Sequence, residues 1–296
     1  MRLRLGTRGS RLALKQARRV AEKIRARSPG IGVELVVIRT SGDERSEFGD
    51  EIANEVGEFS SELEKRLLKG EIQMAVHSAK DLPTRIPESL VVGAYPERAD
   101  PRDAWVFRKS KDHPSGSDGW VGTESPRRRL FWGEKKPESR FRTIRGNVDR
   151  RMERCLLEKD WQGVLLACAG NDRLGGLADG LAMERLDVNW MIPAPGQAAI
   201  AVQCRRDDSE ILKLLTQIDD PAVRLCVSAE KSFLHAWGGG CSESLGAFAQ
   251  IQPNGTLHLR AGVKNRFDRA QKASNEGPAS EAELIGARLV EEMRRE

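Results

Sequence analysis

Leu3-Arg-Leu-Gly-Thr7, the turn Arg8-Gly-Ser10 and the run from Arg11 to Ile24 decide how this chain folds. The first piece reads as a short strand. Ser10 then offers a capping hydroxyl ahead of Leu12, Ala13, Ala17, Val20, Ala21 and Ile24, which keep helical spacing around the polar Gln16. Pro29-Gly30 ends that helix. Val33 to Ile38 is a β-branched apolar run, Leu63, Leu67 and Leu68 lie on one side of a helix stopped by Gly70, and Met74 to Val76 is apolar again. Strand, helix, strand, helix, strand is the rhythm of a parallel sheet covered by helices.

The rhythm resumes beyond Asp100-Pro101, with strands over Trp120 to Thr123, Phe141 to Arg145 and Gly163 to Ala169 and helices from Ser125 and Asn147. This is a second α/β unit of similar size. Lys109 to Gly119 is polar and reads as a surface loop. From Pro221 the pattern changes to a helix through His235, a Gly238-Gly-Gly-Cys241 turn, strands around Gly246 to Ile251 and Leu257 to Val263, and an amphipathic helix from Ser280. A small α+β domain is expected there, and no fixed-period repeat points to a solenoid.

A chain of 296 residues exceeds one small module, and 39% hydrophobic with 31% charged residues supports packed cores under a solvated surface. The net charge of +5 is a small excess. A nucleic-acid partner is not expected, because the bases are not clustered among stacking rings: aromatics are 5% and Tyr95 is the single tyrosine. Arginines near the amino terminus and the lack of a long apolar run predict a soluble, unexported protein with no membrane segment. The five cysteines contain no CxxC pair, which fits a reducing cytoplasm, and the four scattered histidines form no ligand spacing, so no metal is expected.

Arginines gather at expected strand ends. Arg8 follows the first strand, Arg127-Arg-Arg129 open a helix after Thr123-Glu-Ser125, Arg145 closes a strand at Arg-Gly-Asn147, Arg151 is one helical turn on, and Arg173 follows Ala169-Gly170. The carboxyl ends of parallel strands face the ligand crevice, so the set predicts a cleft for a ligand rich in carboxylates or phosphates. His77-Ser-Ala-Lys80-Asp81 follows an apolar strand, where Lys80 and Asp81 are either an acid–base pair or a surface ion pair. His77 reads as a hydrogen-bonded core residue rather than a catalyst. Cys241 lies on a glycine turn that can bring its sulfur close to a ligand, whereas Cys168 and Cys226 sit in apolar runs.

Taken together, Gly6-Thr-Arg-Gly-Ser-Arg-Leu-Ala-Leu-Lys-Gln-Ala17, Thr40-Ser-Gly-Asp43, Phe59-Ser-Ser-Glu-Leu-Glu64, Ala75-Val-His-Ser-Ala-Lys-Asp-Leu-Pro83, Asp100-Pro-Arg-Asp-Ala104, Ile144-Arg-Gly-Asn147, Leu166-Ala-Cys-Ala-Gly170, Pro193-Ala-Pro-Gly-Gln197 and Gly239-Gly-Cys241 closely resemble the porphobilinogen deaminase (hydroxymethylbilane synthase) family, nearly end to end. The resemblance implies two periplasmic-binding-protein-like α/β domains around a cleft plus a small carboxyl-terminal α+β domain. The implied boundaries are 1–97 with 198–217, then 98–197, then 218–296. It also implies a cytoplasmic, monomeric transferase that joins four porphobilinogen units head to tail, losing one ammonia each time, to give linear hydroxymethylbilane in heme (tetrapyrrole, porphyrin) biosynthesis.

By the same resemblance a dipyrromethane cofactor is thioether-linked to Cys241, and Asp81 is the catalytic carboxylate that stabilises the cation left by ammonia loss. Ser78, Lys80, Asp81, Thr123, Ser125, Arg127, Arg128, Arg145 and Gly146 are implied to hold the cofactor, and Arg8, Ser10, Arg145, Arg151 and Arg173 the substrate. Their cationic members suit pyrroles that each carry an acetate and a propionate.

The sequence departs from the family pattern at Val56 and Ser61, where lysines are usual, at Glu124 and Pro126 in a usual Ser-Ser-Leu stretch, at Ala198 for a glycine, at Gly238 for a glutamate and at Ser244 for a proline. From Asp43 through Glu64 the only base is Arg45, so a lid formed there would repel an anionic substrate. The expectation is an active enzyme with slow or atypical turnover; the alternative is a degenerate relative that binds anionic pyrroles without turnover.

Overall fold

The computed structural model describes residues 2–38, 58–109, 119–239 and 244–295, with side chains omitted for 58–60. The expected lid segment, the 109–119 loop and Cys241 therefore lie wholly or largely outside the described residues. The elements in chain order are β1 (Arg2–Arg8), α1 (Arg11–Arg27), β2 (Gly32–Ile38), α2 (Glu58–Leu68), β3 (Met74–Ser78), β4 (Leu90–Ala94), β5 (Asp103–Arg108), β6 (Trp120–Gly122), α3 (Pro126–Lys135), β7 (Arg140–Arg142), α4 (Val148–Leu157), β8 (Trp161–Ala167), α5 (Cys168–Leu174), β9 (Leu181–Arg185), β10 (Ile200–Arg205), α6 (Ser209–Thr216), α7 (Pro221–Trp237), β11 (Leu245–Ile251), β12 (Thr256–Lys264), β13 (Ala270–Pro278) and α8 (Ala282–Arg295).

The opening segment folds as its sequence dictates. Ser10 caps α1 by accepting from the Ala13 amide at 3.3 Å, and Gln16, Ala17, Val20, Ala21 and Ile24 form its buried face. That face packs on Leu3, Leu5, Met74 and Val76 of β1 and β3. The first sheet has the order β2-β1-β3-β10-β4, parallel across β2, β1 and β3. It is not wholly parallel, as the rhythm suggested, because β10 returns from the second lobe and pairs antiparallel with both β3 and β4. The second sheet, β7-β6-β8-β5-β9, repeats the plan: β6 pairs parallel with β7 and β8, and β5 runs antiparallel to β8 and β9. These mixed sheets, each covered by helices on both faces, form two α/β lobes.

Two strand expectations need correcting. The strand expected through Arg145 ends at Arg142, leaving Arg145 in the turn before α4. The strand expected through Ala169 ends at Ala167, and Arg173 sits inside α5.

The lobes are joined by two antiparallel segments. Ile200 N donates to Glu97 O at 3.1 Å, and Ala99 N donates to Ala198 O at 3.2 Å. The third sheet, β11-β12-β13, is antiparallel and packs against α7 and α8. A buried charge docks it: Glu230 on α7 accepts from Arg98 at 2.7 Å, from the Gly196 amide at 2.7 Å and from the Ala249 amide at 2.8 Å. One carboxylate thus ties the third domain to both crossing segments. No helix among the described residues is long and apolar enough to cross a membrane.

Candidate active site

The two lobes face each other with their strand ends and helix starts. A cavity of about 240 Å³ between them is lined by Arg8, Ser10, Ser78, Lys80, Asp81, Arg128, Gly146, Arg151 and Arg173, together with Ala198 and Ala199 of the crossing segment. A second chamber of about 190 Å³ is lined by Lys80, Asp81, Ser125, Arg127 and Arg128, and on its far side by Leu234 and Leu245 of the third domain. Lys80, Asp81 and Arg128 line both chambers. Asp81 closes the short helical turn after β3 and is solvent-exposed at this junction. Lys80 beside it has its pKa lowered, chiefly by burial; Asp81 opposes that shift and Arg128 adds to it.

The expected site residues divide into those open to the cavities and those that build the walls. Ser78 at the end of β3 shares hydrogen bonds with the Gln16 amide, which donates Nε2 at 3.0 Å. Ser125 caps α3 by accepting from the Arg128 amide at 3.4 Å, and Pro126 follows it at the first helical position, where no amide donor is needed. Thr123 does not line either chamber. It is fully buried, and its hydroxyl accepts from the Ser125 amide at 3.2 Å, fixing the capping turn. Gly146 has φ +100°, a left-handed conformation that glycine adopts without strain, and its carbonyl accepts from Arg151 Nε at 2.7 Å.

Arg127 and Arg128 are buried around Asp103, itself fully buried at the start of β5. Arg127 Nη1 donates to Asp103 at 2.6 Å, Arg128 donates through Nε and Nη2 at 2.9 and 2.8 Å, and Gln197 Nε2 adds a bond at 3.1 Å. The two guanidinium groups hold the Asp103 carboxyl well below the usual carboxylate range, against burial. Two arginines on one carboxylate leave a net positive charge in this wall, which favours an anion in the chambers.

Arg173 is nearly enclosed, donates Nη2 to Ala198 O at 2.7 Å and stands 3.7 Å from Glu97. Its Nε is buried without a hydrogen-bond partner among the described residues. Burial lowers the pKa of Arg173, and lowers that of Arg151 to about 10, with Arg128 adding to the second shift and Glu124 opposing it. Arg145 lies outside both chamber walls, its Nε 3.0 Å from Glu124. Guanidinium groups whose surroundings disfavour their charge gain most from an incoming carboxylate. The donor set therefore fits a polycarboxylate group such as dipyrromethane.

Sequence reasoning assigned no role to Asp103, Gln197, Arg98 or Glu230. A charged residue opening the apolar strand Asp103-Ala-Trp-Val-Phe107 was the available signal. It also missed Arg11 and Asp149, paired at 2.9 Å from opposite lobes. His77 is buried in the cavity wall, as its place beside Val76 suggested, but its Nε2 has no hydrogen-bond partner among the described residues.

A two-lobed α/β cleft with cationic walls around one exposed carboxylate defines a polycarboxylate-binding protein with the means to move protons. Comparison with known proteins narrows that class. Residues 3–213 match the family model described as porphobilinogen deaminase, dipyromethane cofactor binding domain, and residues 224–295 match the porphobilinogen deaminase C-terminal domain. The porphobilinogen deaminase of Syntrophomonas wolfei is 40% identical over 293 residues, covering 97% of this chain and 94% of its own. Those of Brevibacillus brevis (37%, covering 97% and 92%) and a Roseiflexus species (38%, covering 98% and 94%) are similarly related. The chain belongs to the porphobilinogen deaminase family.

Proposed function

We propose that Asp81 is the catalytic carboxylate of this enzyme, that Cys241 anchors its dipyrromethane cofactor, and that the surrounding cations hold the acidic arms of cofactor and substrate. The activity is that of the family: a transferase of tetrapyrrole biosynthesis deaminates four porphobilinogen units and joins them into linear hydroxymethylbilane. The observation that carries the residue assignment is the place of Asp81, exposed where the two chambers meet and facing both.

When bound, the dipyrromethane supplies the free pyrrole α-carbon to which each deaminated unit is joined. Arg8, Ser10, Arg151 and Arg173 in the first chamber bind the carboxylates of the incoming substrate, and Arg145 binds one at the cavity edge. Ser78, Lys80, Ser125, Arg127, Arg128 and Gly146 form the cofactor side of the cleft, with Thr123 fixing the turn behind Ser125. The Asp81 carboxylate accepts hydrogen bonds from pyrrole N–H groups. It stabilises the positive charge left on the substrate as its carbon–nitrogen bond breaks and ammonia leaves with the bonding pair. The same oxygens take the proton released from the α-carbon after the new carbon–carbon bond forms.

Cys241 lies in the segment between α7 and β11. Leu234 and Leu245, on either side of that segment, line the second chamber beside Asp81, which supports the anchor assignment. The reading also places the enzyme in the cytoplasm as a monomer without a nucleic-acid partner. Cys155, Cys168, Cys204 and Cys226, all buried free thiols, are consistent with a reducing compartment.

Asp81→Asn tests the assignment. In an anaerobic assay with porphobilinogen, the variant should retain its covalent cofactor and lose turnover by about 10²-fold or more. Turnover within about tenfold of the parent enzyme would remove Asp81 from its role.

A further inference from the structure

Glu124 opens the turn between β6 and α3, beside the buried Thr123 and the capping Ser125. Its carboxylate reaches the next turn of the same lobe: one oxygen is 3.0 Å from Arg145 Nε and the other is 3.9 Å from Arg151 Nη2. These are the guanidinium groups assigned above to substrate carboxylates. A glutamate side chain is a propionate arm on a backbone carbon, chemically the same arm that each pyrrole of the substrate carries. The Glu124 side chain is 44% exposed and that of Arg145 33%, so an incoming carboxylate can reach the pair. Arg151 is more enclosed, with Arg128 as a like charge nearby, and Glu124 offsets that repulsion.

We propose that Glu124 serves as an internal propionate, occupying Arg145 and Arg151 until a substrate or product carboxylate displaces it. The inference rests on the reading of those two arginines as carboxylate-binding residues. The contact does not involve Asp81, so displacing it costs binding affinity and leaves the chemical step alone. Substrate selection follows as well: a ligand must bring a carboxylate here to balance the one it expels.

The test is steady-state kinetics of the holoenzyme with porphobilinogen, comparing the parent protein, Glu124→Gln and Arg145→Gln. Glutamine keeps the shape of the arm and removes its charge. An exposed pair of this kind is worth up to about 1 kcal/mol, so Glu124→Gln should lower KM by about two- to five-fold, with kcat within about twofold. The gain should shrink at high ionic strength. Arg145→Gln should raise KM. If Arg145→Gln raises KM while Glu124→Gln leaves it unchanged or raises it, or if Glu124→Gln acts on kcat instead, the internal propionate is refuted and the arginine assignment stands. If neither variant changes KM, the arginine assignment fails and the inference falls with it.

Discussion

Replacing Asp103 by asparagine should be among the most destabilising single-atom changes available to this protein. The carboxylate is fully buried and takes three hydrogen bonds from Arg127 and Arg128 and one from Gln197, and both guanidinium groups are almost completely enclosed. Asparagine has nearly the same volume, so no cavity opens. What changes is charge: two buried cations lose their counter-ion, and one oxygen becomes an amide that faces donors. Breaking a buried pair by removing one partner costs about 3–5 kcal/mol.

Asp160→Asn is the matched control, since Asp160 and Arg142 form a pair in which both side chains are nearly half exposed, worth about 1 kcal/mol or less. Urea denaturation read by tryptophan fluorescence suits the comparison. Trp105 lies on the same strand as Asp103, and its ring centroid is 4.6 Å from that of Trp132 on α3, the helix that carries both arginines. A loss in Asp103→Asn no larger than that in Asp160→Asn would refute the view that Asp103 holds the cationic wall together.

Two further outcomes follow from the same structure. Burial pushes His77 down from 6.5 to about 4, with Gln203 opposing and Arg8 reinforcing the shift. As pH falls below 6.5 the unfolded chain takes up the proton first, so His77 contributes stability that is complete above pH 6.5 and is lost by about pH 4, amounting to ~3 kcal/mol. His77→Gln should flatten that part of the stability–pH curve, and superimposable curves would contradict the prediction. Ala198 has φ +71°, a left-handed conformation that costs an alanine about 1–2 kcal/mol. Ala198→Gly relieves that strain and gives back part of it as unfolded-chain entropy, so a gain of about 0.5–1 kcal/mol in urea denaturation is expected. No gain would mean that the crossing segment relaxes without the substitution.

The first lobe is legible in the chain from β1 through β3, where the strands and helices are apolar and α1 is capped, whereas β4 and β10 of the same sheet were not picked out. Leu3 to Thr7, Ser10 and the α1 stripe gave the right elements within a residue or two. Even an apolar run such as Ile200-Ala-Val-Gln-Cys204 in β10 carries no information about strand direction, so its antiparallel return was not legible. The Gly6 to Ala17 motif and its companions implied the lobed plan that local patterning left incomplete. β13 was missed because Ala270-Gln-Lys-Ala-Ser-Asn-Glu-Gly-Pro278 has no apolar run and alternates between partly buried and exposed positions.

At the site, Arg8, Arg151 and Arg173 line one cavity, Arg8 from the end of β1 but Arg151 and Arg173 from within α4 and α5 rather than from strand ends. Strand-end spacing could not foresee that Arg127 and Arg128 would be anchored on Asp103, because that contact joins residues 24 and 25 positions apart through tertiary packing. Glu124 was legible as a departure from the family pattern, and only the structure places its carboxylate against Arg145.

The central claim, that this cleft works on a dipyrromethane anchored at Cys241, is tested most directly by the intact mass of the purified protein beside a Cys241→Ser control. The account predicts an added mass of two linked pyrrole units on the parent chain and none on the variant. An unmodified parent chain after incubation with porphobilinogen, or the same adduct on the serine variant, would contradict it.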